Sequence, residues 1–485
     1  MIHLSQLEPQ ILWKHFEKLC EIPRPSKHEA QITAYIVEFA QQLGLETIVD
    51  RVGNVIIRKP ATPGMEQRKG IILQGHLDMV PQKNTETLHD FTKDPIQAYV
   101  DGDWVRAKGT TLGADNGMGV AAALALLESK DIAHGPLEAL FTIDEETGMT
   151  GAFGLEPGLL QGEILLNLDT EDEGELYVGC AGGINVNISW ESPFDVTPSG
   201  SQAYRVALKG LKGGHSGVDI HLYRGNSNKL LIRFLKTASQ KYNLRLASFE
   251  GGSLRNAIPR ESFTTLVLPE GQKEQFLKDL REFEQTLQRE LKVAEPGLSL
   301  TAEEITCPTS VLEASFQTTL LQALNACPNG VHRMSDEIPG VVETSTNLGV
   351  IRHEEGQFKI QCLIRSSQDS TKNDLAEMVS SVFELAGAEV TKSGAYPGWK
   401  PDMSSPILGV FRKVYNDLFD KEAAIKFIHA GLECGLLGAI YPNLDMLSIG
   451  PTIRNPHSPS EAVEIASVEK FWRFLVEGLK HTPEK

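Results

Sequence analysis

The chain has 485 residues, of which 41% are apolar and 23% charged, and its formal net charge is -18. One hydrophobic core rarely organises so many residues, so we expect two or three domains. The negative charge argues against nucleic acid as a partner, because phosphate backbones attract basic proteins. We also expect no membrane association, since no apolar run reaches the length of a bilayer span.

The amino-terminal stretch and the cysteines indicate a reducing compartment. The first residues are amphipathic and lack the apolar centre and small-residue cleavage site of a signal peptide. The six cysteines are scattered and form no CxxC pair; they are Cys20, Cys180, Cys307, Cys327, Cys362 and Cys434. Free thiols are typical of a chain of this size in the cytosol, so we expect a cytoplasmic protein.

The first 180 or so residues alternate helical and strand patterns. Helical spacing predicts helices over "LWKHFEKLCEI" and over "EAQITAYIVEFAQQLGL", the second ending at Gly44 as at a C-cap. Short β-rich runs predict strands over "ETIVD", "NVIIRK", "GIILQG", "LEALFTID" and "ILLNLD", and "NGMGVAAALALLESK" predicts a buried helix between two of them. This alternation favours an α/β fold, a central sheet flanked by helices.

After "CAGGINVNISW" the pattern changes to that of an α+β domain, and the first pattern returns near "GAYPGWKPDMSSP". We therefore predict a discontinuous catalytic domain at 1–185 and 400–485, with an inserted lid domain at 186–399. The insert is about twice the common domain size. It is therefore expected to contain two tandem α+β subdomains of the ferredoxin-like type.

Four predicted strand ends carry acids or histidines. They are followed by His76 and Asp78, by Asp144, Glu145 and Glu146, by Asp169, and by a loop that leads to His457. Asp115 stands in another loop, "TTLGADNGMG", just before a helix. A single acid at a strand end is usually a helix cap or a solvated turn residue. Several such ends together indicate a site, because ligands of open α/β sheets bind at the carboxyl ends of the strands.

The mixture of ligand types favours a metal centre. Two imidazoles with several carboxylates and no thiolate suit Zn, Mn or Co. Two histidines and three carboxylates form a natural shell for two metals that hold a water or hydroxide between them and lower its pKa. At a strand end, adjacent residues point to opposite faces, so one of Glu145 and Glu146 can bind metal while the other acts as general base. Asp78 lies two residues after His76, on the same strand face, and is expected to hold its second ring nitrogen.

Eight motifs carry a resemblance to a known family. They are "HLDMVPQK", "GTTLGADNG", "EETGMTGAFGL", "NLDTEDEGELYVGCAGG", "KGLKGGHSG", "LRNAIPRE", "HAGLECG" and "NPHSP". Together they resemble the bacterial aminoacyl-histidine dipeptidases, or carnosinases, which belong to the co-catalytic zinc peptidases with aminoacylases and carboxypeptidase-like enzymes. The resemblance covers essentially the whole chain. It implies a metallo-dipeptidase that cleaves unblocked dipeptides and prefers a C-terminal histidine, as in β-alanyl-histidine.

The resemblance also implies individual roles in the metal centre. His76 and Asp169 would serve one divalent metal, Glu146 and His457 the other, and Asp115 would bridge them. The metals would be zinc first, with cobalt or manganese as alternatives. Glu145 would be the general base toward the metal-bridging water and later the proton donor to the leaving amine. The resemblance further implies a cis peptide bond between Asp115 and Asn116. One local departure is Asn455, which stands where a glycine is expected.

The remaining predicted site residues concern the substrate. A lone histidine in a glycine loop such as "GGHSG" is usually a turn residue, but the resemblance implies that His215 stabilises the oxyanion when the lid closes. Arg365 and Asn256 are candidates for holding the carboxylate and backbone of the substrate, although Arg365 also fits a surface ion pair. Glu433 is a candidate contact for the free amine.

Two other functions compete with a dipeptidase. An N-acyl amino acid deacylase would use the same two-metal machinery on a different substrate. A metal-dependent peptide-binding module without turnover would not need Glu145, a carboxylate beside the metal ligands. The expected partner is a dipeptide substrate, and both a monomer and a homodimer fit the sequence.

Overall fold

The computed structural model describes residues 3–485. Residue contacts divide the chain into two compact units. The first unit comprises Met1–Gly179, Trp399–Phe427 and Leu432–Lys485, and the second comprises Cys180–Gly398 and Ile428–Gly431. The domain assignment made from the sequence stays a prediction, and the two units are described separately below.

The amino-terminal part of the first unit follows the predicted alternation. Its helices are α1 (Gln10–Glu21), α2 (Ala30–Gln42), α3 (Ala114–Glu128), α4 (Glu145–Gly148) and α5 (Thr150–Gly154). Its strands are β1 (Glu46–Val49), β2 (Val55–Lys59), β3 (Ile71–His76), β4 (Ala98–Asp101), β5 (Trp104–Ala107), β6 (Leu137–Thr142), β7 (Ile164–Asn167) and β8 (Glu175–Cys180). A 3-10 helix at Leu4–Gln6 precedes them.

The middle of the chain forms the second unit. Its strands are β9 (Gly182–Glu191), β10 (Phe194–Val196), β11 (Ser201–Lys209), β12 (Gly214–His215), β13 (Arg245–Gly251), β14 (Ala257–Ile258), β15 (Ser262–Pro269), β16 (Ser299–Ile305), β17 (Ser310–Leu312), β18 (Gly330–Met334), β19 (Val342–Glu354), β20 (Gln357–Ser366) and β21 (Glu389–Tyr396). Its helices are α6 (Ser227–Tyr242), α7 (Lys273–Glu290), α8 (Ala314–Ala326) and α9 (Asp369–Leu385), with a 3-10 helix at Ile220–Leu222.

The carboxyl-terminal part returns to the first unit. Its helices are α10 (Pro406–Phe419), α11 (Glu433–Ile440) and α12 (Ile465–Lys480). Its strands are β22 (Ala424–Ile428), β23 (Asp445–Ser448), β24 (Ile453–Arg454) and β25 (Ala462–Glu464).

Within residues 3–485, the first unit contains a mixed sheet of eight strands in the order β1-β2-β6-β3-β7-β23-β8-β22. Strands β6, β3, β7 and β23 run parallel to one another, whereas β1, β2 and β8 pair antiparallel. Helix α3 packs against β3 and α1 and is buried along almost its whole length. The predicted mixed sheet flanked by helices is confirmed.

The second unit contains one large antiparallel sheet, to which nine strands contribute in the described part of the chain. Two four-stranded groups, β16-β11-β15-β13 and β19-β20-β9-β21, join where β13 pairs with β19 at Gly251 and Ile351. Side chains from the sheet and from helices α6 to α9 share one apolar core. The two expected subdomains therefore correspond to two halves of one continuous sheet, not to two separate sheets.

The helices formed by residues 3–485 include none that combines the length and the apolar character needed to cross a lipid bilayer.

Candidate active site

The parallel strands of the first unit end at one edge of its sheet. His76, the last residue of β3, lies beside Thr142, the last residue of β6. Two residues earlier on β3, Gln74 lies beside Asn167, the last residue of β7. Several of the predicted site residues follow these strand ends, so the sheet register places them at one edge.

Glu145 and Glu146 do not lie on a strand, and the interpretation that they point to opposite strand faces was wrong. Strand β6 ends at Thr142, and both glutamates stand in the first turn of the short helix α4. Asp144 precedes them with φ 52°, a left-handed conformation that ends the extended run. Successive helical residues are rotated by about 100° around the axis, so the two side chains leave the backbone in different directions, although their carboxylates stay within 4.8 Å of each other. Asp78 likewise lies in the loop after β3 rather than on the strand.

One group of ligand atoms surrounds the His76 imidazole. Its Nε2 lies 3.2 Å from Asp115 Oδ1 and 3.3 Å from Asp169 Oδ1. Its Nδ1 lies 3.1 Å from the backbone oxygen of Asp78. Because the Nδ1–H group donates a hydrogen bond to that oxygen, Nε2 of the neutral ring carries a lone pair, which points toward two carboxylate oxygens. Electron-rich atoms that converge in this way form a site for a cation.

A second group surrounds His457. Its Nε2 lies 3.1 Å from Asp115 Oδ2 and 3.0 Å from Glu146 Oε2. The preceding Asn455 has φ 52°, so an asparagine adopts the left-handed turn for which a glycine was expected. The two oxygens of Asp115 therefore face different imidazoles, Oδ1 toward His76 and Oδ2 toward His457.

The charge balance of these groups also fits metal ions. Burial lowers the pKa of His76, but Asp169, Asp115 and Asp78 outweigh burial and hold it well above 6.5. Hydrogen bonds that Asp115 and Glu146 accept from the ring raise the pKa of His457 to about 11. Without a metal, the protein would need imidazolium cations to balance its carboxylates. Buried oxygens of Glu146 (Oε1) and Asp169 (Oδ1) accept no hydrogen bond, as expected of groups kept for a metal.

The loop that carries Asp115 is fixed by its neighbours. The peptide bond between Asp115 and Asn116 is cis, which confirms that prediction. The Asn116 side chain accepts a hydrogen bond from the His76 backbone N–H at 3.2 Å and donates to the Leu168 oxygen at 2.6 Å. It thereby ties the ends of β3 and β7 to the start of α3.

Glu145 lies close to the first group. Ligand atoms of Glu145, Glu146 and His76 all lie within 4.8 Å of one another. Burial, together with the charges of Asp169 and Glu433, raises the pKa of Glu145 well above 4.5, while His76 lowers it. A carboxylate with a raised pKa beside a metal shell has the affinity for protons that a general base requires.

Glu433 is fully buried in the first unit. Its Oε2 accepts hydrogen bonds from Gln74 Nε2 and Thr142 Oγ1, both at 2.6 Å, and its Oε1 accepts none. Burial raises the pKa of Glu433 to about 7. Its predicted contact with the amine of a substrate stays a prediction.

The second unit brings His215 and Arg365 together. His215 Nδ1 accepts hydrogen bonds from the backbone N–H groups of Gly217 at 3.2 Å and Val218 at 3.0 Å. The ring proton therefore sits on Nε2, which lies 3.3 Å from Arg365 Nη2. Two donors that converge in this way can both donate to one oxygen anion. Burial and the charge of Arg365 lower the pKa of His215 to about 4, so the ring is neutral.

Arg365 is not the surface ion pair considered above, because it is 5% exposed and its guanidinium Nη1 donates to Tyr396 Oη at 3.0 Å. Its Nε is buried without a hydrogen-bond partner. Asn256 is exposed, and its backbone oxygen accepts a hydrogen bond from Ser216 at 2.8 Å, next to His215.

Sequence reasoning missed two buried charged residues of the first unit. Arg24 donates to the backbone oxygens of Leu77 and Asp78 at 3.0 Å. Glu461 accepts four backbone hydrogen bonds, two from the residues just before α3 and two from its first residues. Each is a single charged residue in a loop, which no sequence pattern distinguishes from a solvated one. The only sequence feature that could have indicated Glu461 is its position four residues after His457.

Comparisons with known proteins identify the family of this chain. The model of peptidase family M20/M25/M40 matches residues 72–481. The cytosol non-specific dipeptidase of Escherichia coli is 52% identical to this chain over 486 residues. The alignment covers 100% of both chains.

Solved structures of peptidases are also similar to this chain. The aminoacylhistidine dipeptidase of Vibrio alginolyticus superposes with a TM-score of 0.93 and 54% identity over 100% of this chain and 99% of that one. An aminopeptidase PepT from Bacillus cereus superposes with a TM-score of 0.57 and 15% identity over 98% of each chain. At that identity the likeness concerns the fold alone.

Proposed function

This chain belongs to peptidase family M20/M25/M40, and from this premise we propose that it is a metal-dependent dipeptidase that hydrolyses unblocked dipeptides. The observation that carries the proposal is the position of Asp115 between two imidazoles. Its Oδ1 lies 3.2 Å from His76 Nε2 and its Oδ2 lies 3.1 Å from His457 Nε2. One carboxylate that faces two histidine–carboxylate groups is the arrangement expected of a bridging ligand in a two-metal site.

The donor set decides the class of metal. Imidazole and carboxylate ligands without thiolate suit zinc, and also cobalt or manganese. His76 and Asp169 would hold one ion, Glu146 and His457 the other, and Asp115 both. When bound, the two ions would act as Lewis acids that polarise the scissile carbonyl and lower the pKa of water.

Glu145 would carry the proton transfers. Its carboxylate takes a proton from the attacking water as the new C–O bond forms, and later gives that proton to the leaving amine as the C–N bond breaks. Asp78 would support this role by holding the backbone of Glu145, because its Oδ1 accepts a hydrogen bond from the Glu145 backbone N–H at 3.0 Å. A residue whose backbone is held can keep its carboxylate in one position.

The second unit would supply the groups that recognise anionic oxygens. The Nε2 proton of His215 would donate to the oxyanion, and a neutral ring suits this role because it keeps one donor in a fixed tautomer. The Arg365 guanidinium would hold the substrate carboxylate, and its buried Nε still lacks a partner. Asn256 would contact the substrate backbone, and Glu433 the free amine.

The proposed substrate preference rests on two proteins that are similar to this chain and whose names describe different substrate ranges. The relative from Escherichia coli is called a non-specific dipeptidase, and the structure from Vibrio alginolyticus is an aminoacylhistidine dipeptidase. We propose that this chain accepts several dipeptides and prefers a C-terminal histidine, including β-alanyl-histidine. We also propose that it works in the cytoplasm, which the word cytosol in the name of the first relative and six free cysteines support.

The test is a substrate panel on metal-stripped protein refilled with zinc, manganese or cobalt. The panel contains β-alanyl-histidine, other dipeptides with and without C-terminal histidine, and an N-acetylated amino acid. We expect hydrolysis only after refilling, the highest kcat/KM on dipeptides ending in histidine, and no deacetylation. Turnover without metal, or deacetylation faster than peptide hydrolysis, would contradict the proposal.

A further inference from the structure

We propose that Glu461 is a positioning residue for the metal pair: it fixes the loop that presents Asp115, and so sets how both ions are held. The inference rests on the proposed two-metal function. Glu461 belongs to neither ligand group; it contacts Asp115 through the backbone N–H.

The contacts of Glu461 are all with consecutive backbone amides. Its Oε2 accepts hydrogen bonds from the N–H groups of Leu112 at 2.7 Å and Gly113 at 2.9 Å. Its Oε1 accepts hydrogen bonds from Ala114 at 2.8 Å and Asp115 at 3.2 Å. The side chain is 2% exposed, so water does not compete for these four donors. Charge-assisted bonds of this kind are stronger than neutral ones.

The loop needs this support because it does not continue the helix. Asp115 and Asn116 have non-helical φ and ψ angles, although α3 begins at Ala114. Gly113, just before the helix, has φ 73°. The amides of such a segment have no partners in a regular turn, and a buried carboxylate that accepts all four fixes their direction.

Arg24 holds the same loop from another side. Its Nη2 donates to the Gly113 oxygen at 2.5 Å, while its Nη1 donates to the backbone oxygens of Leu77 and Asp78. The Gly113 residue is therefore held by its N–H through Glu461 and by its carbonyl through Arg24. These bonds tie the Asp115 loop to the segment that follows His76.

The position of Glu461 in the chain links it to the second ligand group. It lies four residues after His457, whose Nε2 contacts Asp115 Oδ2 at 3.1 Å. The segment 457–461 would thus supply His457 as a ligand to one metal, and Glu461 as the residue that holds the loop of Asp115, the carboxylate shared by both metals. Loss of Glu461 should therefore weaken the binding of both ions.

The test is the Glu461→Gln variant, with the two metal affinities measured by competition against a chelator. A glutamine offers one oxygen and an NH2 donor, so it leaves about half of the four amides facing another donor. We expect both affinities to fall by about 10–100-fold, the usual effect of losing a group that orients metal ligands. Thermal unfolding of the metal-stripped protein should remain cooperative, at a lower temperature than wild type because buried amides lose their acceptor.

Glu138→Gln is the matched control. Glu138 is 5% exposed, and its Oε2 accepts hydrogen bonds from the Gln161 and Gly162 amides at 2.7 Å. It stands at the opposite end of β6 from Thr142. This variant also loses a buried carboxylate that holds a loop, but its metal affinities should equal those of wild type.

The outcomes separate this inference from the proposed function. If wild type binds no pair of ions, the two-metal proposal fails. If wild type binds two ions and folded Glu461→Gln binds both with unchanged affinity, or loses only one, the inference about Glu461 is overturned. If Glu461→Gln does not fold, Glu461→Asp decides, because its shorter side chain keeps the charge but cannot reach both amide pairs. Weaker binding of both ions supports the inference, and wild-type affinity overturns it.

Discussion

Asp78 accepts a hydrogen bond from the backbone N–H of Glu145 at 3.0 Å. The same oxygen, Oδ1, lies 3.4 Å from His76 Nδ1, and the other oxygen accepts from the Glu146 backbone N–H at 3.3 Å. The predicted contact with His76 is thus only one of several that the Asp78 carboxylate makes. One buried carboxylate also holds the backbone that presents the proposed base and a proposed metal ligand.

The Asp78→Asn variant should therefore lose both metal affinity and turnover. An asparagine has one oxygen and an NH2 donor, so it cannot accept from both glutamate amides and from the Ser26 hydroxyl. We expect metal affinity to fall by about 10–100-fold, and kcat to fall further at saturating metal. Metal titration and steady-state kinetics measure the two effects.

A matched control for that variant is Asp445→Asn. Asp445 also accepts hydrogen bonds from one serine hydroxyl, that of Ser405, and one backbone amide, that of Ile407. It lies at the start of β23, away from the strand ends that form the site. Asp445→Asn should lower stability and leave metal affinity unchanged. Equal loss of metal affinity in both variants would show that the effect of Asp78→Asn comes from general destabilisation and not from the metal site.

Glu145→Gln should keep the fold and both metals but lose turnover. The amide has the same shape and cannot accept the proton of the attacking water. General-base steps contribute about 10²–10⁴-fold, and the loss in kcat should be at least that large because the same group acts twice. Near-normal activity at full metal content would rule out this role for Glu145.

Asp115→Ala and Glu146→Ala should differ in metal content. Asp115 lies within 3.2 Å of both histidines, whereas Glu146 makes its short contact, 3.0 Å, with His457. Removing the shared carboxylate should weaken both sites, and removing Glu146 should mainly empty one. Metal counting on the two purified variants checks this, and the same stoichiometry in both would contradict the bridging role.

The His215 imidazole should stay neutral through the neutral pH range. Burial and Arg365 lower its pKa from 6.5 to about 4. NMR of labelled histidines should show a ring that titrates near this value, and Arg365→Gln should raise its pKa, since the positive charge of Arg365 is removed. A wild-type ring that titrates near 6.5 would be inconsistent with this environment.

The same pKa shift predicts a pH dependence of stability. Because the folded pKa lies below the unfolded value of 6.5, His215 contributes stability that is complete above 6.5 and is lost as the pH falls through about 4. The difference in unfolding free energy between wild type and His215→Gln, measured in urea, should be constant above 6.5 and shrink as the pH falls toward 4.

The sequence alone determined which residues stand at strand ends. Short β-rich runs locate β3, β6 and β7, and such runs are local, so the positions of His76 and Asp169 relative to the sheet follow from the pattern. The motifs then identified the family, and with it the ligand roles to be tested. The short helix α4 was missed because the left-handed turn at Asp144 has no periodic signal.

Only the tertiary structure decided which of these groups meet. Asp115 and His457 are 342 residues apart, and the amide of Leu112 lies 349 residues from Glu461, yet both pairs are in contact. No local pattern encodes a hydrogen bond across such a separation, because it depends on sheet register and on the path of every loop between. For the same reason the sequence predicted two lid subdomains, whereas the pairing of Gly251 with Ile351 makes one sheet.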